Sequence, residues 1–118
     1  MMCNLMCFSC GGSLIDDRTV LTAAHCTKGF WIEKVTVGMH YRRKTVEGQE
    51  DIPVKKVITH PRFNKRTMDN DIAIIILARP VQWSKHVQPV CLPTDPTVTY
   101  TNRMVSMLVT CVFRIHQY

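Results

Sequence analysis

Two titratable residues stand where they could cooperate in moving a proton. His25 lies between Ala24 and Cys26 at the end of a β-prone run, and Asp71 opens the most apolar run of the chain, Asp71-Ile72-Ala73-Ile74-Ile75-Ile76-Leu77. An aspartate entering so apolar a strand is at least partly desolvated and needs a hydrogen-bonding or charged partner to stay ionised. A histidine is the partner that chemistry most often supplies. The carboxylate then holds the imidazole in one tautomer and stabilises the imidazolium formed when the ring takes a proton from a nucleophile. His40, His60, His86 and His116 lack such surroundings and read as solvated or packing residues.

The six cysteines, Cys3, Cys7, Cys10, Cys26, Cys91 and Cys111, are the second source of chemistry. So many in 118 residues favour disulfides and an oxidising compartment over a reducing cytosol. Zinc is the rival, because Cys7-x-x-Cys10 followed by His25 and Cys26 has some character of a metal knuckle. A second ligand pair at ligand spacing should follow; His25 and Cys26 are adjacent and the next histidine is His40, so no metal and no cofactor is expected.

The elements that must position these residues read as strands. Short runs rich in Val, Ile and Thr recur between turn signals, the pattern of an all-β barrel or sandwich. Residues 13–15 and 19–22 flank Asp16-Asp17-Arg18, an acidic turn, and predict a hairpin. Ala23-Ala24-His25-Cys26 is too short and too alanine-rich for a strand and predicts one helical turn at the strand's end. Further strands are expected at 34–37, ended by Gly38, at 52–59, ended by Pro61, and at 71–77, ended by Pro80; the last is apolar at nearly every position and so expected to be buried on both faces.

All five glycines lie in the first half, so a backbone pocket lined by glycine is not expected in the last seventy or so residues. Hydrophobic residues make up 46% of the chain, too many for a disordered polypeptide. Charged residues interrupt every stretch long enough to span a bilayer, so no membrane partner is expected. The first ten residues contain no basic residue, and Cys10 runs straight into Gly11-Gly12-Ser13-Leu14-Ile15, so they do not read as a signal peptide.

Four ordered segments carry a resemblance. Cys10-Gly11-Gly12-Ser13-Leu14-Ile15, Leu21-Thr22-Ala23-Ala24-His25-Cys26, Asp69-Asn70-Asp71-Ile72-Ala73 and Val90-Cys91-Leu92-Pro93 resemble successive landmarks of the chymotrypsin/trypsin-like serine proteases. The resemblance runs from about Cys10 to Pro93. It implies an all-β fold, an incomplete trypsin-like double β-barrel consisting mainly of the N-terminal six-stranded Greek-key barrel. It also implies that His25 is the general base, that Asp71 orients it, and that Cys10 and Cys26 form the disulfide beside the catalytic histidine. Such a bridge is worth roughly 3 kcal/mol in the chain-entropy model. Cys91 in the family often bonds to a propeptide or a second region of the chain; here Cys3, Cys7, Cys111 or no partner all remain open.

The departures concern the attacking atom. In the family the nucleophile follows His and Asp and lies in Gly-Asp-Ser-Gly-Gly. The serines here are Ser9, Ser13, Ser84 and Ser106; the two after Asp71 have no glycine neighbour. The backbone turn that would form an oxyanion hole, the specificity pocket and the activation sequence likewise have no counterpart. The organisation expected is an irregular segment 1–9, a partial peptidase domain 10–96 and a divergent tail 97–118. Thr110-Cys111-Val112 weakly resembles the family's Cys-containing strand after the inter-barrel linker, without the Gly-Trp-Gly that should follow.

The function expected is that of a fragment of an extracellular, trypsin-like serine endopeptidase that would hydrolyse peptide bonds by acyl transfer but is inactive alone. Its partners would be protein or peptide substrates once the missing half is supplied. The alternative is a catalytically dead protease-like module that binds a protein partner or a polyanion. The net charge is 15 − 9 = +6, with basic residues at Arg42-Arg43-Lys44, Lys55-Lys56 and 62–66. No aromatic residues are interleaved with them as a single-strand stacking platform requires, so no specific nucleic acid is expected. A lone half of a two-barrel protein should also expose an apolar face and open strand edges.

Overall fold

The computed structural model describes residues 7–38, 49–97, 99 and 111–117. The strands are β1 (Cys7–Leu14), β2 (Thr19–Thr22), β3 (Phe30–Trp31), β4 (Lys34–Val37), β5 (Glu50–Thr59), β6 (Ala73–Leu77) and β7 (Cys111–Gln117), with one 3₁₀ turn (Ala24–Cys26) after β2. The antiparallel pairings run β1–β2–β6–β5–β4–β7 and return from β7 to β1, with β3 added to β7. Six strands therefore form a ring, which is the barrel expected. Two of them make closure possible. β1 pairs with β7 through Gly12 and with β2 from Ser13 onward, and β5 passes from β4 to β6 across a register shift between Val54 and Lys56. A bulge bends and twists its strand, which lets one strand serve both sides of a closed sheet.

Alternation in the strands fills the ring. Leu14, Val20, Val35, Ile52, Ile75 and Leu77 are fully buried and form one cluster with Val37, Val87 and Phe113. Burying each such side chain contributes about 1.5–3 kcal/mol. β6 departs from its expectation. Ala73, Ile75 and Leu77 are buried, but Ile74 and Ile76 are only half-buried and Ile72 is exposed. The strand is a barrel wall with one face on the core, so its continuous apolar run does not mean burial on both faces.

Turn chemistry acts where it was read. Asp16 Oδ1 accepts from the Arg18 N–H at 2.8 Å in the β1–β2 hairpin. β4 stops at Gly38, whose φ of 71° is a conformation that glycine takes without strain. Gly12 is needed for space instead: a Cβ there would lie 2.5 Å from Val20 Cγ1 and 3.1 Å from the Leu21 carbonyl oxygen.

Within the expected segment 1–9 and tail 97–118, the described residues 7–9 and 111–117 lie in strands. Cys7–Gly12 of β1 pairs with β7 from His116 to Cys111, and β7 also pairs with β4. Cys111 and Phe113 are buried in the core. The barrel ring is thus closed by residues from the far end of the chain. Cys3, His40, residues 42–44 and Ser106 lie outside the described residues, as do 98, the rest of 100–110, and 118.

Candidate active site

His25 stands in the middle of the 3₁₀ turn, and the turn is fastened on three sides. Ala23 is extended, and the turn then closes through Cys26 N–H to the Ala23 carbonyl at 3.1 Å and Thr27 N–H to the Ala24 carbonyl at 3.0 Å. Cys26 is joined to Cys10 of β1 by a disulfide. The bridge removes both sulfurs from any zinc site. Thr27 is buried; its hydroxyl donates to the Ala24 carbonyl at 3.0 Å and lies 2.8 Å from the Thr59 hydroxyl at the end of β5. Since Thr27 has one hydroxyl proton and gives it to Ala24, Thr59 is the donor to Thr27. On the third side Ala24 packs against Phe63 and Ala73 in a small buried cluster of its own.

Asp71 reaches this turn from just before β6. Its Oδ1 accepts from the His25 backbone N–H at 2.8 Å, and its Oδ2 lies 2.7 Å from His25 Nδ1. One carboxylate thus grips both the backbone and the ring of the same residue. Partial desolvation pushes the Asp71 carboxyl up, but hydrogen bonds from the His25 ring and N–H, the attraction of a charged imidazole and the Ala24 N–H together outweigh it, so the group sits below the usual carboxylate range. An ionised carboxylate can only accept, so the proton between the two groups belongs on Nδ1. Nε2 then carries the lone pair, on a ring that is 49% exposed against 21% for Asp71. This arrangement can take a proton at Nε2 and stabilise the resulting imidazolium from behind.

The other candidates make local hydrogen bonds of their own. His60 Nδ1 accepts from the Arg62 N–H at 3.0 Å, and the Ser84 hydroxyl accepts from the His86 N–H at 3.3 Å in a turn closed by Val87. Cys91 is exposed and, among the described residues, outside any disulfide. The Thr27–Thr59 contact and the Phe63 plate under Ala24 are supports that no local pattern announces, because their partners lie 32 and 39 residues away.

Comparisons agree with this architecture. A family model described as Trypsin matches residues 2–111. Phenoloxidase-activating factor 3 of Holotrichia diomphalia is 40% identical over 117 residues, covering 84% of this chain and 33% of that protein. Vitamin K-dependent protein C of Mus musculus is 39% identical over 87 residues, covering 74% of this chain and 19% of that protein. The solved structure of GrC superposes with a TM-score of 0.70 at 27% identity, covering 92% of this chain and 57% of that one. The chain spans a third or less of these curated relatives and more than half of the GrC chain. The family model runs over nearly all of the strand-paired barrel, and this polypeptide belongs to the chymotrypsin/trypsin-like serine protease family.

Proposed function

We propose that this chain supplies the proton-handling pair of a serine endopeptidase, with His25 as general base and then acid and Asp71 as the group that orients it. The observation that carries the proposal is the two-point grip of the Asp71 carboxylate on the backbone and ring of His25. In peptide hydrolysis by acyl transfer, Nε2 takes the proton of a hydroxyl as its oxygen attacks the peptide carbonyl carbon. It returns that proton to the amine that leaves. The same nitrogen then activates water, and the acyl ester is hydrolysed. The attacking hydroxyl is supplied by a segment outside these 118 residues: Ser84 is engaged in its own turn, and no serine here has the Gly-Asp-Ser-Gly-Gly surroundings of the family. The substrates are proteins or peptides, and the Cys10–Cys26 bridge favours an extracellular setting.

A serine-directed fluorophosphonate tests the assignment. The 118-residue chain should take up no label, whereas a polypeptide that joins it to a nucleophile-bearing segment should be labelled and cleave peptides. In that longer polypeptide Asp71→Asn should lower kcat about 10⁴-fold, the size expected when the imidazole is left in the wrong tautomer. Stoichiometric labelling of the short chain, or an unchanged kcat in the variant, would refute it.

A further inference from the structure

The Ala24 carbonyl oxygen takes three donors: the Thr27 N–H at 3.0 Å, the Lys28 N–H at 2.9 Å and the Thr27 hydroxyl at 3.0 Å. The two N–H groups close the turn, and a single turn needs no more. The third donor is a buried hydroxyl that is itself held by the Thr59 hydroxyl at 2.8 Å, from the end of β5. Filling the space would require neither hydroxyl.

That carbonyl and the His25 N–H belong to one peptide unit. Resonance couples them: a donor on the oxygen draws electron density from the nitrogen and makes the N–H a stronger donor in turn. The His25 N–H leaves the unit on the opposite side and reaches Asp71 Oδ1 at 2.8 Å. The bonds therefore run in one direction, from the Thr59 hydroxyl to the Thr27 hydroxyl, through the Ala24–His25 peptide and into the carboxylate whose other oxygen holds His25 Nδ1. Ala24 is fully buried and Thr27 nearly so, so water does not compete for the upstream bonds and their polarisation is little screened.

We propose that Thr27 and Thr59 are positioning residues for the His25–Asp71 pair, acting in series through the Ala24–His25 peptide on the N–H that anchors Asp71. Their catalytic meaning rests on the reading of that pair as proton-handling machinery. The relay itself is a matter of hydrogen bonds, and it is tested without turnover.

The experiment is NMR of the 118-residue chain, reading the His25 amide proton and the titration of the Asp71 carboxyl carbon. Thr27→Val should move the amide proton upfield and lower the Asp71 acid dissociation constant about twofold, the size expected when a hydrogen bond to a charged group loses roughly a tenth to three-tenths of its strength. Thr59→Val leaves Thr27 bonded to Ala24 and should shift both readings the same way by less; it carries the test alone if Thr27→Val does not fold. Thr27→Ser and Thr59→Ser keep the hydroxyls and should return both readings to wild type. In the double valine variant the change at Thr59 should add nothing to Thr27→Val, because a series has no second path. The His25 ring, the charge that acts on Asp71 among the described residues, is present in every variant, so the comparison isolates the relay. Additive shifts in the double variant, an unmoved His25 amide in Thr59→Val, or serine variants that behave like the valine ones would each overturn the proposal. A longer polypeptide that takes no fluorophosphonate would count against the catalytic reading and not against the relay.

Discussion

The Asp71 carboxylate is stabilised as an anion by groups that exist only in the folded chain, and this has a pH signature. Its folded pKa lies below the ordinary value of about 3.9, so the stability it contributes is complete above that value and is lost as pH falls through the folded pKa. Asp71→Asn removes the titration. The urea midpoint of the wild type should therefore fall more steeply than that of the variant between about pH 5 and about pH 3. Parallel curves would mean that the grip on His25 contributes nothing to the fold. The two residues were legible in the sequence for different reasons: Asp71 as an acid heading an apolar strand, His25 through its Leu-Thr-Ala-Ala-His-Cys setting. Their 46-residue separation gave no measure of how they would meet.

The 3₁₀ turn depends on long-range fasteners rather than on its own three residues. Cys10→Ser with Cys26→Ser should cost about 3 kcal/mol in chemical denaturation, from a bridge that spans 16 positions. Thr59→Val should cost about 1–3 kcal/mol, because it leaves the buried Thr27 hydroxyl without its donor. A second strand-level prediction concerns Gly12, where alanine would press on Val20 and on the Leu21 carbonyl; about 1–3 kcal/mol is the expected loss. Denaturation midpoints equal to wild type would show that the turn holds itself. Hairpin, turn and strand ends could be read locally from Asp16, Gly38 and Pro80. The role of β7 could not, because the stretch after Thr97 carries no turn punctuation and its partners, β1 and β4, lie some hundred and some seventy-five residues earlier.

At the scale of the whole molecule, β7 converts an open sheet into a ring. Without it the edges of β1 and β4 would present unpaired backbone groups, a template for pairing with other chains. The chain shortened to end before Cys111 should accordingly self-associate in sedimentation velocity at concentrations where the full chain does not; a stable monomer would show that closure is dispensable. The same ring carries the His25 turn, through Cys10 opposite Phe113 of β7. The central claim is that this scaffold holds His25 as a base poised by Asp71, and nitrogen NMR of the His25 ring at neutral pH tests it most directly. The account predicts a proton on Nδ1 and a bare Nε2, with the preference lost in Asp71→Asn; a proton resident on Nε2 in the wild type, or a ring spectrum indifferent to the substitution, would contradict it.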